Sequence, residues 1–420
     1  MRPVTAEILT IGDEILYGQI VDTNSQWMGA HLSDAGIKVI HKTTVGDIEQ
    51  DILKAFAEAE NRVDIVLITG GLGPTSDDLT KPCLAKYFDC EMRIHDEALA
   101  EVTEFFVSRG RALTDVNRLQ ASLPVCCEKI TNRMGTAPGM WFHRNGKVFV
   151  SMPGVPHEMK IMMSEIIIPK LRRTFQTPTI HHTIIRTVGI GESFLAEKIS
   201  SWEKDLPPHI KLAYLPGYGE VKLRLTSSGS DQQTISKEID SLVEKIKPLA
   251  GEYIYSVGNE SLEVVLGKVL RERNLNISFA ESCTGGYLTH MITSVPGSSE
   301  YFSGSIIAYS NNVKIKELGV AEESLSSDGA VSERVIREMA EGVRLKFKTD
   351  IGAATSGIAG PGGGTPEKPV GTVWIAYADK YQTISRKLQL SKDRLINIKL
   401  ASINVLNLIR AGIKQRNPDG

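Results

Sequence analysis

Apolar runs and amphipathic stretches alternate along the first part of the chain. AEILTIG (6–12) and VDIVLITGG (63–71) are nearly unbroken apolar segments, the pattern of strands covered on both faces of a parallel sheet. IKVIHKTTVG reads as another strand, and DIEQDILKAFAEAEN places Ile52, Leu53, Phe56 and Ala57 on one side of a helix. Asp22-Thr23-Asn24-Ser25 offers cap chemistry for a helix running toward Ala35 and closed by Gly36. Strands alternating with helices predict a doubly wound α/β domain. Asn145-Gly146 between two apolar segments predicts a hairpin, and the turn Pro153-Gly154-Val155-Pro156 enters a helix carrying His157, Glu158 and Lys160.

After Arg173 the pattern changes. Residues 178–250 predict a small α+β unit: the strand HHTIIRTVG, a helix from Glu192, the strand EVKLRLTSSG and a charged helix ending near Gly251. Gly189-Ile190-Gly191 resembles the tight turn of a KH module, and residues 251–260 read as a linker. The last third opens with the helix ESLEVVLGKVLRERN, then a strand at Ile277–Ala280, a helix, and a strand at Gly304–Tyr309. The helix SERVIREMAEGVRLKFKTD follows, with Ser332 as its cap. Residues 351–378 read as strand, glycine-rich loop, strand, and a long helix closes the chain.

Candidate chemistry falls at two strand ends. TGGLGPTSDDLT (69–80) follows the third strand. Gly70, Gly71 and Gly73 permit close approach of backbone to a ligand, Thr75 and Ser76 supply hydroxyls, and Asp77 and Asp78 supply hard oxygen ligands. Glu14, beyond the first strand, should lie at the same edge, and Glu158 is a metal ligand, a base or an ordinary helix-start glutamate. In AESCTGG, Ser282 stands at a strand-to-helix turn, near free N–H groups and a helix dipole that suit a phosphate or an oxyanion. Tyr309 and Lys314 follow, giving nucleophile, relay hydroxyl and base without a histidine; equally, Ser282 is a good helix N-cap. Cys283 is an alternative nucleophile or a small buried hydrophobe. The glycine-rich loop brings Ser356, Gly357 and Gly360, and Arg394 in the first turn of the last helix is a candidate phosphate clamp.

Composition narrows the field. At 420 residues two or three domains are expected, and a net charge of -2 gives no global basic field for nucleic acid. Five cysteines, without metal-site or disulfide spacing, fit a reducing cytoplasm. No secretion signal is apparent at the N-terminus, and no apolar run approaches the roughly 20 residues of a membrane span.

Three motifs in one order, TGGLGPTSDD, AESCTGG with YSNNVK, and SGIAGPGGGTPEKPVGTV, closely resemble the competence/damage-inducible protein A (CinA) family over essentially the whole chain. The resemblance implies a molybdopterin-binding-like domain over residues 1–172, a KH-like α+β domain and linker over 173–252, and a C-terminal α/β domain over 253–420. It implies that the last domain deamidates nicotinamide mononucleotide as a serine/lysine hydrolase without a cofactor. Ser282, Tyr309 and Lys314 would be its catalytic residues, and Thr284, Gly285, Gly286, Ser356, Gly357, Gly360 and Arg394 its substrate contacts. The first domain would cleave ADP-ribose with potassium and a divalent ion such as cobalt or magnesium; assigning Asp77, Asp78, Glu14 and Glu158 to that ion is our inference. A deamidase with only a nucleotide-binding, molybdopterin-binding or partner-docking first domain is the alternative. The family further implies a homodimer, while the lack of a basic field and of a long apolar run argues against nucleic-acid and membrane partners.

Overall fold

The computed structural model describes residues 2–75, 77–178, 180–228 and 232–416. The chain gathers into two compact bodies, Met1–His181 with Ser228–Gln232, and His182–Ser227 with Gln233–Gly420.

The first body is built on a six-stranded sheet in the order Ile37–Val45, Val4–Ile11, Ile65–Thr69, Lys147–Met152, Gly139–Arg144, Glu128–Ile130. The first four run parallel and the last two pair antiparallel. Side chains such as Phe56, Leu84 and Phe149 pack in one apolar layer, and Met28, Leu32 and Met159 in another; this two-sided burial is why the strands read as continuous apolar runs. The predicted hairpin turns at Asn145 and Gly146, with φ of 53° and 75°, the positive pair that this turn type requires. Cys90 and Cys126 form a disulfide with Cα atoms 6.1 Å apart, against the expectation of unpaired cysteines. The short strands Met92–Ile94 and Ser122–Pro124 pair antiparallel and bring both cysteines to one edge, a tertiary proximity invisible in the spacing.

The second body holds two sheets. In the smaller, Ile180–Val188 lies between Glu220–Ser228 and Ile254–Val257, with Ile210–Gly217 outermost. Residues 254–257 are therefore not linker. They complete the edge of the KH-like sheet by pairing antiparallel with Ile185, Arg186 and Thr187, because an extended segment of four residues finds there the hydrogen-bond partners that a free linker would leave to water. The larger sheet has the order Phe302–Ile307, Ile277–Glu281, Ile351–Gly357, Thr372–Ala378, Thr383–Gln389. Its first three strands are parallel, so Ser282 and Gly357 end neighbouring strands on one edge.

The closing helix Arg394–Arg416 spans 23 residues. Its stretch Arg394–Gln415 passes for a membrane span by length and composition alone, where the sequence reading found no such run. It is a core helix: Ala401, Val405, Leu406, Ile409 and Ile413 are buried against the sheet of the last domain. From the same helix, buried Arg410 donates to the carbonyls of Glu252 (2.8 Å) and Ile254 (3.1 Å), joining the KH-like and C-terminal layers. Arg410→Leu orphans both carbonyls and is expected to lower unfolding free energy by roughly 1–3 kcal/mol, measured by urea titration of the full chain; an unchanged midpoint would show the contact to be incidental.

Candidate active site

A pocket of about 250 Å³ opens at the carboxyl ends of the parallel strands, with Ser282, Tyr309, Lys314, Ser356, Gly357 and Arg394 among its lining residues. At its base Lys314 is only 1% exposed. Its Nζ lies 2.7 Å from the Ala308 carbonyl, 3.4 Å from the Tyr309 carbonyl and 3.1 Å from Ser282 Oγ. Lys314 belongs to the helix Asn311–Leu318, capped by Ser310, and its amine folds back to the positive end of that helix. Burial lowers its pKa below the ordinary lysine value, and the helix N-terminus acts in the same direction. An ammonium would donate to all three oxygens. A neutral amine donates to the two carbonyls and turns its lone pair to the Ser282 hydroxyl.

The turn that presents Ser282 is organised by a residue to which sequence reasoning gave no role. Glu281 is fully buried. Its carboxylate accepts the N–H groups of Gly286 (2.9 Å), Leu288 (3.2 Å) and Thr289 (2.8 Å) and the hydroxyls of Thr284 (2.7 Å) and Thr289 (2.5 Å). This places the anion at the start of the helix Tyr287–Thr293, so the helix terminus expected to receive substrate is already occupied by the chain's own carboxylate. Gly285 and Gly286, with φ of 58° and 101°, make the reversal possible; the Gly285 N–H is also engaged, by the Ser282 carbonyl at 3.2 Å.

Several expectations are thereby revised. Thr284 is buried, with its hydroxyl shared between Glu281 and Thr355 (2.7 Å each), so it braces the turn and does not face substrate. Gly285 and Gly286 shape the same turn from behind. Gly360 contributes its carbonyl to Arg394 Nη1 at 2.8 Å. Tyr309 is 62% exposed, and its hydroxyl accepts from Arg394 Nη2 at 3.0 Å. Its backbone carbonyl, not its phenol, reaches Lys314, and the phenol sits at the rim with Arg394. Ser356 Oγ donates to the Ala330 carbonyl at 2.7 Å, latching the wall formed by Ala330 and Val331. Burial pushes the Cys283 thiol up to about 12, which keeps it protonated and a poor rival to Ser282. Asn311 also lines the pocket; it sits within the YSNNVK motif, but nothing in its spacing singled it out.

At the other site, Gly70 and Gly71 have φ of 106° and 61° and carry the chain sharply away from the strand Ile65–Thr69. Asp78 closes the loop that follows. Its Oδ1 accepts from Gly73 N (2.8 Å), and its Oδ2 from Thr75 N (3.1 Å) and the Thr75 hydroxyl. Both oxygens are engaged within the loop, so Asp78 acts there as a strut. Asp77 is exposed. Glu158 accepts from Asn132 Nδ2 at 2.7 Å, and Glu14 is exposed beyond the first strand. Among the described residues, no group of three or more His, Cys, Asp or Glu side chains is placed to hold a metal ion. The four carboxylates are therefore not gathered into the expected cage among the described residues. Ser76 lies outside the described residues.

Comparison with known proteins follows this division. Residues 7–173 match the "Probable molybdopterin binding domain", 182–256 the "Damage-inducible protein CinA KH domain", and 259–413 the "CinA C-terminal domain". A "CinA-like protein" of Cytophaga hutchinsonii is 51% identical over 412 residues, covering 98% of this chain and 99% of that protein. One of Dictyoglomus thermophilum is 42% identical, covering 97% and 98%. The crystal structure of "the protein CinA with unknown function" from Thermoplasma acidophilum is 35% identical, with a TM-score of 0.37, covering 41% of this chain and 98% of that one.

With Asp78 a strut, Asp78→Ala should loosen the 73–79 loop and cost roughly 1–3 kcal/mol through the orphaned donors. Urea titration and limited proteolysis of the metal-free chain read this out. Unaltered stability and cleavage pattern would show that these contacts do not hold the loop.

Proposed function

We propose that this chain, which belongs to the CinA family, hydrolyses the carboxamide of nicotinamide mononucleotide at the Ser282–Lys314 pocket, giving the carboxylate and ammonia. The observation that carries this reading is the buried Lys314 amine, 3.1 Å from Ser282 Oγ and hydrogen-bonded otherwise only to backbone carbonyls. Serine is a weak nucleophile unless a base takes its proton, and a lysine serves as that base only when neutral.

Ser282 Oγ attacks the carboxamide carbon while its proton passes to Lys314 Nζ. The tetrahedral adduct collapses, Lys314 returns the proton to the departing nitrogen, and ammonia leaves an ester on Ser282. Water then attacks that ester, again delivering a proton to Lys314, and the carboxylate product departs with Ser282 restored. The substrate's pyridinium charge further disfavours an ammonium at Lys314. Arg394 spends one N–H on the Gly360 carbonyl and one on the Tyr309 hydroxyl. Its three remaining N–H groups are available to a phosphate at the rim.

For the N-terminal domain the same premise gives hydrolysis of ADP-ribose to AMP and ribose 5-phosphate. What supports it is the glycine turn at Gly70 and Gly71, at the sheet edge where open α/β folds take ligands. A divalent ion there would draw on substrate phosphates more than on a protein cage.

Ser282→Ala and Lys314→Ala should each abolish ammonia release in the full chain, and the double variant should be little worse than either, because the pair acts as a unit. The pH dependence has a definite sign. With its pKa lowered, Lys314 is protonated and idle at acid pH, so kcat/KM should rise with pH through one ionisation and level off below the ordinary lysine value. A profile that falls over that range, or strong activity in Ser282→Ala, would defeat the reading.

Arg394→Lys keeps the charge but loses the fork that binds phosphate bidentately. It should raise KM for the mononucleotide by about tenfold or more, the scale of one lost charge-assisted hydrogen bond, with kcat held. A collapse of kcat at constant KM would assign Arg394 to the chemistry.

A further inference from the structure

The backbone donors of the turn after Ser282 can be counted one by one. Ser282 N reaches the Thr355 carbonyl, Gly285 N the Ser282 carbonyl, Tyr287 N the Thr284 carbonyl and His290 N the Gly286 carbonyl. Gly286, Leu288 and Thr289 give their N–H groups to the Glu281 carboxylate. Among the described residues, the N–H groups of Cys283 and Thr284 reach no oxygen acceptor; the Cys283 N–H lies against its own thiol, and of the two residues Cys283 alone lines the pocket, beside Ser282. Buried backbone donors are rarely left without a partner, and a donor next to a nucleophilic serine is the position an oxyanion hole takes.

We propose that Glu281 is the positioning residue of that hole. By drawing three N–H groups and two hydroxyls onto one buried carboxylate, it fixes the turn in a conformation whose pocket-lining donor, Cys283 N, receives the oxyanion formed when Ser282 attacks. Glu281 does not touch substrate; it acts through the backbone. A second brace runs behind the nucleophile: Thr284 Oγ1 joins Thr355 Oγ1 at 2.7 Å, and Ser282 N is held by the Thr355 carbonyl at 3.0 Å. The proposal rests on Ser282 as the nucleophile but not on the identity of the amide.

The test uses the full-length chain and two readouts. One is ammonia release from nicotinamide mononucleotide. The other is phosphonylation of Ser282 by an alkyl fluorophosphonate, in which the serine oxygen displaces fluoride and the phosphoryl oxygen occupies the hole. Glu281→Gln keeps the size of the side chain but puts an amide donor where N–H groups need an acceptor. It should slow both reactions by about 10²-fold, the scale of one lost oxyanion donor. KM should stay within about twofold and the rising pH limb of Lys314 should not move, because neither the rim nor the base is touched. Labelling at the wild-type rate, or a displaced pH limb, overturns the proposal.

Thr289→Val, which removes one hydroxyl donor and keeps the backbone, provides the test if Glu281→Gln does not fold. Slower labelling that Thr289→Ser restores supports the proposal, and wild-type labelling in Thr289→Val overturns it. A wild-type chain labelled on Ser282 that releases no ammonia would refute the substrate reading and leave this inference standing. A wild-type chain inert to both reagents would refute the two together.

Discussion

A buried lysine amine at the floor of a pocket, with no carboxylate among its hydrogen-bond partners in the described residues, is the constraint around which the C-terminal domain is arranged. Burying an ammonium costs several kcal/mol per ion unless a counter-charge offsets it. Among the described residues Lys314 Nζ reaches two carbonyls and a hydroxyl, and burial lowers its pKa below the ordinary lysine value. Nearly everything close by serves to keep it there. The helix Asn311–Leu318 lies behind it, and Ala308, the source of the strongest acceptor, is itself fully buried. The carboxylate that would neutralise it, Glu281, is turned away and saturated by the neighbouring turn. Lys314 and Glu281, far apart in sequence and near each other at the pocket, are thus kept in different roles by where their hydrogen bonds go.

The periodicity of the chain made the sheet layers and most helices legible, because burial on both faces writes a continuous apolar run and burial on one face writes a helical stripe. Ser282 and Lys314 were legible from their motif, and the structure brings them into contact. What was not legible depended on positive-φ reversals. Glu281 looks like an ordinary residue at a strand end until Gly285 and Gly286 fold the next helix back over it. For the same reason the carboxylates of the N-terminal motif suggested a metal site. Their residue types suit one, but Asp78 is also engaged by Gly73 and Thr75 within five residues of itself. Tyr309 was placed correctly at the pocket and given the wrong neighbour, since strand end and helix start decide where its phenol points and neither shows in residue type.

The boundary between the KH-like and C-terminal layers carries its own lesson. The GEYIYSVGNE segment has the composition of a connector, yet Ile254–Val257 is pinned on both sides. On one side it pairs with the strand Ile180–Val188; on the other, Arg410 reaches across to the carbonyls of Glu252 and Ile254. For anyone dissecting the chain, no cut in this segment is neutral. A fragment starting just before Ile254 would carry a bare strand whose N–H and C=O groups are open to pairing with another copy, the usual seed of edge-to-edge aggregation. A fragment starting after Val257 would leave the buried Arg410 guanidinium facing solvent with its acceptors gone. The two layers are joined through this segment into one compact body, whatever chemistry each performs.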